Sequence, residues 1–303
     1  MSFPVELPFE SYRDANLANF TATPAYDLAT ARALAWLSQL AYETRDPEKV
    51  AAVLKEWQLT LKVAVRDPTT GISGLTDTHG LIVEGWGATI IAFTGTDPLK
   101  PRNWVTDFNI ELPDDNIHAG FRAGFEAVRS QIEAVVGDRG DRHKRLFITG
   151  HSAGGALAAV AAKFLQEAKV DVEGVYTFGM PRCGGAEFAR VYEGLLGPRT
   201  YRLVHGDDVV PKLPPPELHF QHVGRLLKCP HGGAFEGMQP LAAPSDEPHA
   251  SVEQFVGSVL KGIGDRILPS PTQPGFLGQL YSWLHPSIGD HLPSRYLRAL
   301  ERR

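Results

Sequence analysis

Residues 146–160 read Leu146-Phe147-Ile148-Thr149-Gly150-His151-Ser152-Ala153-Gly154-Gly155-Ala156-Leu157-Ala158-Ala159-Val160. An apolar run enters the glycine–serine–glycine stretch and an alanine-rich run leaves it, so the segment reads as strand, sharp turn, helix. In such a nucleophile elbow the serine stands exposed on a strained turn. The turn brings strand and helix backbones together, and side chains two positions either side of the serine would collide, which accounts for Gly150 and Gly154. The helix start also points its unpaired N–H groups at the serine, suited to a developing oxyanion. A bare G-x-S-x-G is common by chance, and its plain alternative is a serine that only caps a helix. The strand and helix around this one are what make it informative.

A serine hydroxyl needs a base to take its proton, and the base needs an acid to hold it. With this elbow the chain order is serine, acid, histidine. The acid belongs at the end of a later strand, and Tyr201-Arg202-Leu203-Val204-His205-Gly206-Asp207-Asp208-Val209-Val210-Pro211 offers both Asp207 and Asp208. Six histidines follow: His219, His222, His231, His249, His285 and His291. Most histidines are structural or exposed, so five of these should be ordinary. His291, in Asp290-His291-Leu292 just before a terminal helix, is the first choice.

Outward from the elbow, the periods alternate. Residues 1–24 read as an irregular arm, and Asp27 caps a helical pattern through Leu28, Ala31, Leu34, Leu37 and Leu40. Pro47 opens a second helix to about Trp57. Leu59, Leu61, Val63 and Val65 then alternate as one face of a half-buried strand. Leu81–Val83 and Thr89–Phe93 flank Glu84-Gly85-Trp86-Gly87 as a hairpin. A helical stripe follows at Phe121, Phe125, Val128, Ile132 and Val135. Beyond the elbow helix, strands at 175–178 and 201–204 enclose a helix at 185–195. A hairpin followed by alternating strands and helices implies an α/β sheet with covered faces. Without repeats or a linker, residues 1–303 read as one domain.

Composition narrows the function classes. The 303 residues are 43% hydrophobic and 21% charged, ordinary for a globular chain, and 30 Lys and Arg against 35 Asp and Glu give a net charge of −5. Nothing there neutralises phosphates, which disfavours nucleic-acid binding. Cys183 and Cys229 make no disulfide framework or zinc knuckle and read as buried thiols. Acids and prolines at the start do not resemble a signal peptide, and nowhere do 18 apolar residues run together. The expectation from these features is a cytoplasmic protein.

Several further segments bear a family likeness: Ile91-Ala92-Phe93-Thr94-Gly95-Thr96, Arg102-Asn103-Trp104, His118-Ala119-Gly120-Phe121, Phe178-Gly179-Met180-Pro181-Arg182, Asp208-Val209-Val210-Pro211 and Asp290-His291. With the elbow they resemble the fungal-type triacylglycerol lipases (class 3 lipases), a branch of the α/β hydrolases that includes feruloyl esterases and phospholipases A1. The likeness runs from about residue 60 to 225 and resumes near 290. It implies an α/β-hydrolase fold, with a mixed, mostly parallel central sheet flanked by helices. By position Ser152 resembles the nucleophile, Asp208 the triad acid and His291 the general base. The backbone N–H groups of Thr96 and Ala153 resemble the oxyanion hole. Departures are Thr94 where the family usually has Arg, Ala153 where it usually has Leu, and a stretch before His291 longer than the family's.

The resemblance also implies a lid, which would fall at 97–112 and carry Trp104, Val105, Phe108 and Ile110; the plain alternative makes these residues core. No metal or organic cofactor is implied. The expected partner is a lipid or other acyl ester, with transient contact at a lipid interface and no obligate protein partner. Acylglycerol hydrolysis is the first reading; phospholipids and feruloyl or other esters use the same triad. A catalytically silent lipase-like scaffold is the competitor from another class, and the three intact triad residues argue against it. Residues 231–290 form a long excursion in which Val252, Phe255, Val256, Val259, Leu260, Ile263, Ile267 and Leu268 fall at helical spacing. With few basic residues beside that stripe, packing within the monomer near His291 is expected rather than membrane binding.

Overall fold

The computed structural model describes residues 5–68, 78–95, 112–137, 144–214, 216–241 and 289–302. The expected lid residues Trp104, Val105, Phe108 and Ile110, the hole residue Thr96, and the stripe at 252–268 lie outside them, as do His249 and His285. The arm is not wholly irregular: it contains the short helix α1 (Phe9–Arg13), which buries Tyr12. Asp27 caps α2 (Leu28–Leu40), its carboxylate accepting from the Thr30 N–H at 2.7 Å, and Asp46 does the same for α3 (Pro47–Glu56) through Lys49. Pro47 costs nothing there, because a first-turn residue has no intrahelical N–H bond to lose.

Strand β1 (Thr60–Arg66) then pairs antiparallel with β2 (His79–Gly85). Its expected alternation holds only in part. The register slips between Leu61 and Val63, and Leu61 turns out to solvent while Leu59 and Val65 stay buried. The β2–β3 hairpin is tighter than expected: β2 runs to Gly85 and β3 (Ala88–Phe93) starts at once after Trp86 and Gly87. Both turn residues have positive φ, 53° and 76°, as a two-residue loop matched to strand twist requires.

From β3 onward the sheet is parallel. Helix α4 (Ala119–Gly137) leads to β4 (Arg145–His151), and α5 (Ala153–Glu167) leads to β5 (Val172–Phe178). The two-residue β6 (Gly184–Gly185) precedes α6 (Ala186–Leu195) and β7 (Thr200–His205). Short β8 (Phe220–Gln221) and then β9 (Arg225–Cys229) follow, and α7 (Pro293–Glu301) ends the described chain. The seven-stranded sheet has the order β1-β2-β3-β4-β5-β7-β9, with β6 and β8 paired apart from it. Residue pairs Phe93–Gly150, His151–Phe178, Phe178–Leu203 and His205–Cys229 align the carboxyl ends of five strands along one edge. In open parallel sheets that edge is where ligands bind.

Period-two alternation sends neighbouring strand residues into two cores. Ile90, Phe147 and Tyr176 face α2, α3, the arm and α7, whereas Ile91, Ile148 and Val175 face α4, α5 and α6. The stripe on α4 buries Phe121, Phe125, Val128, Ile132 and Val136. Each fully buried Leu or Phe contributes roughly 1.5–3 kcal/mol. Helix α7 is fastened to α2: the Arg32 guanidinium donates to the Leu300 carbonyl at 3.0 and 3.1 Å, and Trp36 Nε1 donates to Glu301 at 3.0 Å. Helix α7 is thereby held beside α2 and against β7.

Candidate active site

Ser152 sits between β4 and α5 with φ 58° and ψ −131°, a conformation that costs an L-residue energy and persists only when its surroundings enforce it. The enforcement is visible. The Ser152 N–H donates to the Phe178 carbonyl at 2.8 Å, and its carbonyl accepts from Gly155 at 2.9 Å. A Cβ on Gly150 would collide with the Gly154 backbone. One on Gly154 would come within 2.5 Å of the Phe93 carbonyl oxygen. The two glycines therefore have the role that the sequence assigned to them. Ala153 is the first residue of α5, so its N–H is among those left unpaired at a helix start. Gly95 runs past the serine: a Cβ there would lie 3.0 Å from Ser152 Cβ. Thr94, in the place of the family's usual Arg, donates its hydroxyl to the Ala41 carbonyl at 2.6 Å and ties β3 to the end of α2.

Asp208 and His291 are both fully buried, and Nδ1 of the ring lies 2.8 Å from Asp208 Oδ2. Beyond that contact, Asp208 Oδ1 accepts from the Val210 N–H at 2.9 Å. Asp207, by contrast, is exposed and meets the His291 segment only through its own N–H, which donates to Asp290. Between the two sequence candidates, the acid facing the imidazole is Asp208. Of the other described histidines, His222 is buried against the Pro211 carbonyl and His231 meets Asp290.

Gly179, at φ 61°, lets the chain after β5 pass beside the pair: a Cβ there would stand 2.7 Å from Asp208 Oδ2 and 2.9 Å from His291 Nδ1. His151 joins serine to histidine from behind. Its Nε2 faces the His291 carbonyl at 2.7 Å and its Nδ1 faces the Tyr42 hydroxyl at 2.8 Å. A carbonyl can only accept, so Nε2 carries the proton and Nδ1 accepts from Tyr42. Burial, and then the neighbouring His291, push the His151 pKa well below the usual imidazole value, so the ring stays neutral.

Tyr296 was not anticipated. From α7 its hydroxyl donates to Asp208 Oδ2 at 2.5 Å and accepts from the His205 N–H at 3.2 Å. Burial first, then the Asp208 charge, drive its pKa well above the usual phenol value, so it remains a donor. The available signal was a tyrosine on the apolar face of an amphipathic helix, a residue that seeks a partner for its polar tip. Nothing local says which partner. Arg182 is another holder of the site: its guanidinium donates to the Lys212 and Pro214 carbonyls at 2.6 and 2.8 Å, fastening the loop after Asp208.

Residues 90–218 match the family model described as Lipase (class 3). A secreted mono- and diacylglycerol lipase of Fusarium solani is 36% identical over 132 residues, covering 41% of this chain and 39% of that protein. Another, from Malassezia restricta, is 37% identical over 152 residues, covering 46% of this chain and 50% of that one. The matches thus span half or less of these relatives' length. Among solved structures, a mono- and diacylglycerol lipase from Aspergillus oryzae superposes with a TM-score of 0.60 at 23% identity, over 74% of this chain and 88% of that one. A triacylglycerol lipase described as having a serine protease triad at its catalytic centre gives 0.54 at 25% identity, over 66% and 78%. The fold is that of the α/β-hydrolase lipases.

Two of these relatives are named as secreted, which overturns the cytoplasmic expectation. The cysteine argument fails for a physical reason. A chain of this size builds its core without disulfides, and burial raises the Cys183 and Cys229 thiols to about 12 and 11, leaving both unreactive in either compartment.

Proposed function

We propose that the chain is a member of the class 3 lipase family, a serine carboxylester hydrolase acting on acylglycerols outside the cell, as the names of its secreted relatives describe them. The observation that carries the reading is the buried hydrogen bond between Asp208 and His291, whose ring lies 4.6 Å from that of His151, the residue before a serine held at positive φ on an elbow. Ser152 attacks the ester carbonyl while Nε2 of His291 takes its proton. Asp208 keeps the other ring nitrogen protonated and stabilises the imidazolium that forms. The N–H groups of Ala153 and Thr96 receive the oxyanion. The protonated histidine releases the alcohol, and water, activated by the same ring, frees the acid from Ser152. The 1–303 chain works as one unit on this view, because α7 returns the histidine segment to α2.

The test is Ser152→Ala, assayed on p-nitrophenyl esters of rising chain length with triolein and a phospholipid alongside. The variant keeps its fold and loses several orders of magnitude in turnover. Parental hydrolysis by purified Ser152→Ala ends the serine-hydrolase reading. A parent faster on phospholipid than on triolein moves the substrate class to phospholipids.

A further inference from the structure

Next to the triad lies a second carboxylate–histidine group that the reaction does not consume. Asp290 is fully buried, and its side chain faces three elements. The Asp207 N–H, from the loop after β7, donates to Oδ2 at 2.9 Å. His231, beyond β9, places Nδ1 2.7 Å from Oδ1 and 2.9 Å from Oδ2. His205, on β7, places Nδ1 3.4 Å from Oδ1. Gly206, at φ 56°, leaves room for the carboxylate, because a Cβ there would collide with Oδ2. Gly206 is itself tied to β9 through its N–H, which donates to the Cys229 carbonyl at 2.8 Å.

The arrangement is two cross-links at consecutive positions. Asp207 and Asp208 lie in one segment, Asp290 and His291 in the other, and each position of the first engages one of the second. One bond alone would leave the imidazole free to swing about the Asp208 oxygen. Two adjacent bonds to different side chains fix its direction as well as its distance. We infer that Asp290, clasped by His231, is a positioning residue that aims His291 at Ser152. This rests on the serine-hydrolase reading. His231 has a largely exposed ring whose side chain is 59% accessible, so it closes the clasp from the solvent side without carrying the core.

The experiment compares Asp290→Ala, Asp290→Asn, His231→Ala and the double Asp290→Ala/His231→Ala with the parent. It measures kcat and KM on a soluble p-nitrophenyl ester, counting active sites with a fluorophosphonate. The low-field proton resonance of the His291 Nδ1–H and the thermal midpoint are recorded for each. Asp290→Ala lowers kcat per titrated site on the order of 10–100-fold, the cost of a small misplacement of a catalytic group. Its KM stays near that of the parent and the resonance shifts. Asp290→Asn, which still accepts from Asp207, recovers much of the rate; His231→Ala loses less than Asp290→Ala, and the double variant loses no more than Asp290→Ala alone. A raised KM at parental kcat, or a rate loss that only follows the folded fraction with the resonance unmoved, overturns the inference. If Asp290→Ala does not fold, His231→Ala decides: parental kcat with an unmoved resonance overturns it. A parent that hydrolyses no ester refutes the functional reading instead, and the resonance still reports on positioning.

Discussion

Replacing Asp208 by Asn keeps the side chain's shape and removes one negative charge. The site cannot accommodate the exchange, because Oδ2 accepts from both His291 Nδ1 and Tyr296 while Oδ1 accepts from the Val210 N–H. An amide with its oxygen toward His291 turns its NH2 against the Val210 N–H, two donors face to face. Turned the other way, its NH2 meets Nδ1 and forces the proton onto Nε2, where the ring can no longer take one from Ser152. In both orientations the imidazolium loses its counter-charge. The comparable loss in serine triads is about 10⁴-fold in turnover, or roughly 5 kcal/mol of barrier. Asp207→Asn serves as the matched control, since its exposed side chain leaves the N–H bond to Asp290 intact. It is expected to stay within about twofold, as surface changes of less than 0.5 kcal/mol do. The assay is kcat and KM on a soluble p-nitrophenyl ester at fixed pH, normalised to titrated active sites. Asp208→Asn within tenfold of the parent, or Asp207→Asn as the more damaging change, refutes the reasoning.

Tyr296→Phe removes a hydrogen bond to a buried carboxylate and is expected to cost about 2 kcal/mol, seen as a melting midpoint lower by roughly 3 °C; an unchanged midpoint contradicts it. Gly154→Ala puts a methyl against the Phe93 and Thr94 backbone, which no rotamer relieves, so a loss of about 3 kcal/mol or more is expected by urea unfolding. Stability also has a definite pH sign. Burial holds His151 and His222 far below the usual imidazole value and His118 at about 4. The unfolded chain then binds protons that the folded one refuses, and stability falls as the pH drops below about 6.5. His118 by itself accounts for up to about 3 kcal/mol between there and pH 4. Urea midpoints that stay level from pH 7 to 5 contradict the burial of these rings.

What sequence alone determined about this protein is whatever a short stretch of chain decides for itself. Asp27 and Asp46 cap helices through bonds three residues away, Trp86 and Gly87 close a hairpin within two residues, and the elbow's glycines collide or clear within five. Asp208 was within reach because it closely follows a strand in the chain order that the elbow implies, and His291 because a recognisable Asp-His pair precedes a helix. Choosing Asp208 over Asp207 needed the family likeness; their physical difference, buried against exposed, arises only when the loop folds. Tertiary structure decided the rest. Leu61 reads as a buried face but points outward, because a slip in pairing with another strand resets its side. Tyr296 belongs to Asp208, His151 to Tyr42 and Asp290 to His231 across 88, 109 and 59 residues of chain. No local period encodes such partners. A buried polar group must find a donor or acceptor when water is excluded, and which one it finds is set by the packing of seven strands and the helices over them.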